Sequence, residues 1–311
     1  MKRLCDLHCD TITACMKKGE GIDCAQGQIA SEQRASEQRA PGHISLEQAS
    51  ALRANGLREW MQVFAVFVPD SLRGSAAAGY FDRALRFYQA QENEITAHCT
   101  PVLALENANA LNGDLRRLEE LRAQQVRIIT LTWNGQNELG YGAHCAPQKG
   151  LTPFGKQAVR QMHKLGIIPD VSHLNPAGFD EVAELGGVFI ASHSNCAAVC
   201  PHRRNLSDAQ IKTIIAAGGL VGLTLYPEFL GGTNTAEAMA RHLRHIISLG
   251  GEDHMALGSD FDGCTMYLSG MRDLPDLERQ LAAFGMTPEQ LEKFFWRNGA
   301  NFLKKHLQTT I

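Results

Sequence analysis

Histidines and acids recur in this chain just beyond short apolar runs, in the residue types that hold divalent cations and move protons. His8 and Asp10 stand two apart in Asp6-Leu7-His8-Cys9-Asp10, a spacing that turns both side chains the same way in an extended strand. Glu106 closes Val102-Leu103-Ala104-Leu105, where an apolar interior would not accept an unpaired carboxylate. His173 ends Asp170-Val171-Ser172 and His193 ends Ala191-Ser192, two runs with the same Ser-His finish. A carboxylate has two oxygens, so Glu106 can serve two ions at once. The set then divides into His8, Asp10 and Glu106 for one ion and Glu106, His173 and His193 for a second. Two ions about 3.5–4 Å apart can share a hydroxide and polarise a carbonyl. Imidazole and carboxylate ligands suit zinc, and the same set admits manganese, iron or cobalt.

Asp260, in Leu257-Gly258-Ser259-Asp260-Phe261-Asp262-Gly263, follows another apolar run and is placed to take a proton from water and hand it to a leaving amine. Asp262 competes for that role, but Asp262-Gly263 has the chemistry of a turn. Arg203 and Arg204 lie in the loop after His193, and a guanidinium there would clamp a substrate carboxylate through two parallel bonds. The chemistry implied is hydrolysis of an amide close to a free carboxylate.

These residues must be carried by elements that bring their ends together. Eight runs have strand length: Arg3 to Leu7, Met61 to Val68, Val102 to Leu105, Val126 to Thr132, Ile167 to Ser172, Val188 to Ser192, Leu220 to Leu225 and Met255 to Ser259. Helix-like stretches separate nearly all of them, which predicts an α/β fold, a (β/α)8 TIM-like barrel of one domain spanning 1–311 with its chemistry at the carboxyl ends of the strands. Helix starts are expected at Thr152-Pro153 and Asn175-Pro176, and capping boxes at Ser207 to Gln210 and Thr287 to Gln290. Gly218-Gly219 and Gly250-Gly251 should end helices. Leu46 to Leu57 reads as the first outer helix. Asp276 to Leu307 has helical spacing and is expected on the outside of the barrel. Before them, Ser31-Glu32-Gln33-Arg34-Ala35 is repeated as Ser36-Glu37-Gln38-Arg39-Ala40, which reads as a solvated excursion rather than a lid.

A net charge of -3 supplies no basic field, so nucleic acid is not an expected partner. Nine cysteines, an odd number without regular Cys-x-x-Cys spacing, read as thiols of a reducing cytoplasm, and the start of the chain lacks an apolar signal core. No apolar run reaches the roughly 18 residues that cross a bilayer, so no membrane partner is expected.

The chain resembles the renal (membrane) dipeptidase family of zinc metallopeptidases, as a bacterial-type member. The likeness runs from Asp6 to about Phe302. It rests on Asp6-x-His8-x-Asp10-Thr11, Gly150-Leu151-Thr152-Pro153-Phe154-Gly155, Asp170-Val171-Ser172-His173, Ser192-His193-Ser194, Arg203-Arg204-Asn205 and Gly258-Ser259-Asp260-Phe261-Asp262-Gly263. It implies a dipeptidase with two divalent ions, Zn2+ above others, held by His8, Asp10, Glu106, His173 and His193. It implies Arg204 as carboxylate clamp and Asp260 as the acidic catalytic residue. In one place the chain departs from the family pattern: mammalian members carry a substrate- and oxyanion-contacting histidine where this chain has Trp133, in the Trp-Asn form of many bacterial relatives. Trp133 and His144 are therefore the candidate substrate-binding donors.

The expected substrate is a dipeptide, including one with a C-terminal D-residue; a homodimer is allowed. The alternatives are a binuclear amidohydrolase acting on N-acyl amino acids, lactones or cyclic amides, and a metal-stabilised binding protein without turnover. All five ligands and Asp260 together argue against the last.

Overall fold

Alternation of side chains along strands decides what the fold can place at its centre. In the computed structural model, which describes residues 1–19, 21–22, 40–41 and 43–307, the chain begins with β1 (Arg3–Cys9), α1 (Thr11–Lys18), β2 (Ala40–Pro41), α2 (Leu46–Ala54), β3 (Glu59–Phe67) and α3 (Gly74–His98). It continues through β4 (Thr100–Glu106), α4 (Arg116–Ala123), β5 (Val126–Thr130), α5 (Pro153–Leu165), β6 (Ile168–Asp170), α6 (Pro176–Leu185) and α7 (Asp208–Ala216). The last part is β7 (Val221–Leu223), α8 (Pro227–Leu230), α9 (Thr235–Ser248), β8 (Met255–Leu257), β9 (Thr265–Met266), α10 (Leu274–Ala283), α11 (Pro288–Glu292) and α12 (Asn298–Leu307). The duplicated segment, apart from Ala40, lies outside the described residues. Among the described residues no helix is long and apolar enough to cross a membrane.

The main sheet is parallel, in the order β6-β5-β4-β3-β1-β8-β7. Its two edges are joined by the sixth apolar run. Val171 N donates to Ile190 O (2.8 Å) and Ile190 N to Pro169 O (3.0 Å) on one side; Ala191 N donates to Leu220 O (3.0 Å) and Gly222 N to Ala191 O (2.7 Å) on the other. These bonds close the ring as a barrel of the TIM type. The run expected as a strand over Val188 to Ser192 pairs only around Ile190 and Ala191, because the chain turns inward at Ser192. Gly222 and Gly258 make that turn possible: a Cβ on either would run into the Ser192 carbonyl oxygen.

Period two sorts the side chains into two cores. Val102 and Ala104 of β4 belong to the barrel interior with Cys5, Val63, Ile128, Ile168, Ile190 and Ala256. Leu103 and Leu105, on the opposite face, pack beneath the helices. One expectation about the C-terminal region is corrected. Gly285 (φ 88) separates α10 from α11, and a π-helical turn over Lys293–Arg297 leads into α12. This last part does not stay outside: Trp296, Ala300, Phe302 and Leu303 enter the interior cluster. Asn298 Nδ2 donates to Glu252 O and Met255 O, both 2.9 Å, and so anchors this plug at the amino end of β8. The plug closes the end of the barrel away from the strand carboxyl termini. Large aromatic area is what this end of the barrel needs, and the outer face does not.

The expected helix starts are in place. Thr152 accepts from Gly155 N (3.0 Å) and Asn175 from Gly178 N (2.9 Å); Ser207 and Thr287 form capping boxes with Gln210 and Gln290. Each cap contributes about 1 kcal/mol. The first outer helix ends at Ala54, before Gly56 at φ 103, rather than at Leu57.

Because the Gly258 clash is with backbone, Gly258→Ala should lower unfolding free energy by about 1–3 kcal/mol. Gly79→Ala, inside α3 where a Cβ would meet only Arg83 Nη1 at 3.8 Å, should instead raise it by about 0.5–1 kcal/mol. Urea unfolding midpoints test both, and a Gly258→Ala protein as stable as the parent would rule out the inward turn described here.

Candidate metal centre

Glu106 continues the inward column of β4, one step above Ala104, and its carboxylate is 3% exposed at the carboxyl mouth of the barrel. Its two oxygens face different partners. Oε2 lies 3.6 Å from His8 Nε2, whereas Oε1 lies 3.1 Å from His173 Nε2 and 3.7 Å from His193 Nε2. His8 Nε2 is also 3.6 Å from Asp10 Oδ2 and 3.8 Å from Asp260 Oδ1. The His8 and His193 ring centroids are 3.9 Å apart, and those of His173 and His193 4.9 Å. The five residues read from the sequence as ligands thus converge with Asp260 on one spot.

Local backbone breaks the regular pattern to bring them there. The register of β1 against β3 shifts between Asp6 and Cys9, so Leu7 lies in the interior cluster and His8 still reaches the mouth. Asp10 is not in the strand, as strand spacing had suggested; it is the N-cap of α1, with no capping bond from its side chain. His173 (φ 68) and Asp260 (φ 66) adopt the left-handed region, where a residue with a Cβ costs about 1–3 kcal/mol. Strain of this kind persists only where neighbours hold it.

Hydrogen bonds supply that hold. His173 Nδ1 meets Asn134 Oδ1 at 2.9 Å, and His193 Nδ1 meets Ser192 Oγ at 2.8 Å, so both rings turn Nε2 toward Glu106. Asp170 accepts from Ser192 N (2.9 Å), Ser192 Oγ (2.7 Å), Ser172 N (3.0 Å) and Thr130 Oγ1 (2.6 Å). Asp6 accepts from Ser259 N (2.8 Å), Ser259 Oγ (2.6 Å) and Gln62 Nε2 (3.0 Å). Sequence reasoning passed over Asn134, Asp170, Ser192 and Asp6 as working parts. The Asp170 and Ser192 motifs were visible in the chain, but their partners were not.

The donor set fits cations. His8 Nε2, His193 Nε2 and Asp10 Oδ1 are buried without a hydrogen-bond partner, an expensive arrangement unless something coordinates them. Two overlapping groups, His8 with Glu106 and His193, and His8 with Asp10 and Asp260, bring their ligand atoms within 4.8 Å of one another. Burial, reinforced by the Asp10 charge and opposed by His8, pushes the Glu106 carboxyl up to about 8. Burial alone would push His8 down, but Glu106 and Asp10 hold it well above the imidazole range. Burial keeps His173 and His193 well below it; Arg204 and His8 add to this for His173, and His8 and His173 for His193. Both shifts favour the neutral ring that a ligand requires. Burial also raises Asp260, against the pull of His8.

A cavity of about 530 Å³ opens above this cluster, lined by Asp10, Glu106, Trp133, His144, His173, Arg204 and Asp260 among others. Arg204 is 4% exposed, and its nearest polar contacts are long: Nη1 to Ser194 Oγ and Nη2 to His193 O, both 3.4 Å. Its Nε has no partner, and among the described residues no carboxylate pairs with it. Burial pushes its guanidinium down to about 10. Arg203, by contrast, is exposed. Trp133 stands between Phe67 (5.1 Å) and His173 (5.9 Å) as one wall, and His144 is an exposed rim residue held through its backbone N to Asn134 O at 3.0 Å. Phe229, 5.3 Å beneath the Arg204 guanidinium, and Lys17 extend the lining beyond the residues read from the sequence. Asp262 also borders the cavity, but His43 Nδ1 (2.7 Å), Thr11 Oγ1 (2.6 Å) and Ile44 N (3.2 Å) occupy its carboxylate. It is a tether for the loop.

Comparison with known proteins points the same way. A family model for membrane dipeptidase (peptidase family M19) matches residues 2–309. The "Uncharacterized protein in pqqA 5'region" of Klebsiella pneumoniae is 35% identical over 218 residues, 65% of this chain and 80% of that protein. An "Uncharacterized dipeptidase" of Schizosaccharomyces pombe is 30% identical over 211 residues, 65% of this chain and 52% of that protein. Among solved structures, that of dipeptidase AC, a family M19 metallopeptidase, has a TM-score of 0.80 and 26% identity, with 98% of each chain covered. A Rhodobacter sphaeroides metallopeptidase liganded with a phosphinate mimic of the dipeptide L-Ala-D-Ala has a TM-score of 0.78 and 25% identity, covering 98% of this chain and 99% of that one. With the family model matched over nearly its whole length, the chain belongs to the membrane dipeptidase family, peptidase family M19.

Proposed function

We propose that this chain is a metal-dependent dipeptidase whose residues 1–311 act as one catalytic unit. The observation that carries the reading is the division of Glu106, one oxygen toward His8 and the other toward His173 and His193, below a cavity that also holds an unpaired buried arginine. His8, Asp10 and Glu106 would hold one divalent ion, and Glu106, His173 and His193 the other. Bound there, such ions supply Lewis acidity toward a carbonyl and lower the pKa of water. Zinc is our assignment, from the imidazole and carboxylate donors.

The remaining steps belong to side chains of this chain. Arg204, a buried cation that no carboxylate pairs with directly among the described residues, binds the free carboxylate of the dipeptide through its planar fork. That contact sets the scissile carbonyl over Glu106. Asp260 takes a proton from the attacking water as the oxygen bonds to the carbonyl carbon, then delivers it to the amine nitrogen as the C–N bond breaks. Asp262 cannot share this role while His43, Thr11 and Ile44 occupy its oxygens. Trp133 and His144 contact the substrate from the wall and the rim. The dipeptide mimic bound by the Rhodobacter sphaeroides relative carries a D-residue at its C-terminal position, and we extend that tolerance to this chain. The free thiols of Cys5, Cys9, Cys99 and Cys196 fit a reducing compartment, the cytoplasm.

Asp260→Asn should keep metal binding and lower kcat by about 10²–10⁴-fold, the range for a lost acid–base group. Steady-state kinetics alongside metal analysis checks this, and turnover near that of the parent would move the role elsewhere.

Arg204→Lys should reduce kcat/KM severely for free dipeptides and hardly at all for C-terminally amidated ones, which are already poor substrates. The comparison needs both substrate types in parent and variant. If the parent cleaves amidated and free dipeptides equally well, there is no carboxylate clamp and the broader amide-hydrolase reading takes over.

A further inference from the structure

Asp170 lies below the metal centre, fully buried, and touches none of the cavity. Its four hydrogen bonds are unevenly arranged. Oδ1 accepts two backbone donors, Ser172 N (3.0 Å) and Ser192 N (2.9 Å), while Oδ2 accepts two hydroxyls, Thr130 Oγ1 (2.6 Å) and Ser192 Oγ (2.7 Å). A carboxylate only accepts, so the single hydroxyl proton of Ser192 is directed to Asp170. The same Ser192 oxygen stands 2.8 Å from His193 Nδ1 and has only lone pairs left to offer it. The ring must then donate from Nδ1.

We propose that Asp170, acting through Ser192, is a positioning residue that fixes the proton of His193 on Nδ1 and so leaves Nε2 as a lone pair for a cation. The inference rests on the reading of His193 as a ligand, and it adds the residue that makes it one. Among the described residues no other group holds the proton on Nδ1: His193 Nε2 has no hydrogen-bond partner, Glu106 Oε1 faces it from 3.7 Å, beyond hydrogen-bond reach, and His8 and His173 meet it ring to ring. A free imidazole would place its proton on Nε2 more often than not, which would block coordination. The second Ser-His pair is built differently. His173 takes its orientation from Asn134, outside its own motif, so only one of the two similar motifs carries the Asp-Ser-His relay.

Asp170→Asn should reverse the Ser192 hydroxyl. Two backbone N–H groups cannot turn away, so the amide oxygen must occupy the Oδ1 position and the amide NH2 must face Ser192 Oγ. The serine hydroxyl then reverses and donates to His193 Nδ1, which drives the ring proton to Nε2. Ser192→Ala removes the acceptor without supplying a competing donor and should leave a mixture of tautomers. Ser192→Thr keeps the hydroxyl and should restore the parent state.

The test reads the tautomer directly, by 15N NMR of histidine-labelled, metal-free protein, with zinc affinity from chelator competition beside it. The expected result is Nδ1–H for His193 in the parent and Ser192→Thr, a mixture in Ser192→Ala and Nε2–H in Asp170→Asn. Zinc affinity should fall by about 10–100-fold in the last two, the usual effect of losing an outer partner of a ligand. Nδ1–H retained in Ser192→Ala, or Nε2–H in the parent, overturns the proposal; should Asp170→Asn fail to fold, Ser192→Ala decides alone. If the parent binds zinc but cleaves no dipeptide, the functional reading fails while the tautomer result stands on its own.

Discussion

A carboxylate at the centre of a protein barrel must be neutralised, and Glu106 shows how much of the molecule follows from that requirement. It is 3% exposed, one step above an apolar column, where desolvation of a bare charge costs several kcal/mol. Three imidazoles close over it. Burial pushes the Glu106 carboxyl up to about 8, and the charges of Glu106 and Asp10 hold His8 above its ordinary range. Cations would relieve both and satisfy the unpartnered His8 Nε2, His193 Nε2 and Asp10 Oδ1 together. The same reasoning applies to Arg204, whose buried charge calls for an anion that the described residues do not supply.

The barrel meets this demand twice with one device. Asp6 accepts both the backbone N and the hydroxyl of Ser259, at 2.8 and 2.6 Å, and Asp170 accepts both from Ser192, at 2.9 and 2.7 Å. In each case the pinned serine immediately precedes a residue of the centre, Asp260 or His193. Buried carboxylates with several charge-assisted bonds are stiff anchors. They offset the left-handed backbone of Asp260, just as Asn134 steadies the left-handed His173, and Gly222 and Gly258 leave the space through which Ser192 turns inward.

Much of this was legible in the chain because strand length, helix capping and ligand type are local signals. Glu106 could be read directly, since a lone acid at the end of an apolar run demands a partner wherever the run goes. Other features depended on remote residues. The sixth run pairs only at Ile190 and Ala191, and its bend needs the space left by Gly222 in β7 and Gly258 just after β8. Helical spacing in the C-terminal region was visible, but Trp296 and Phe302 are apolar in either setting, so only the barrel's open end decides that they form a plug. Asp260 and Asp262, or Arg203 and Arg204, are alike in type; hydrogen bonding to His43 and burial beside His193 separate them.

If two cations share Glu106, both depend on its carboxylate. Saturation with zinc followed by elemental analysis and affinity measurement, in the parent and in Glu106→Gln, tests that sharing most directly. Two ions per chain are expected in the parent and weakened binding of both in the variant. Saturation at one ion per chain with full dipeptidase activity, or a variant that loses affinity for only one of two, would contradict it.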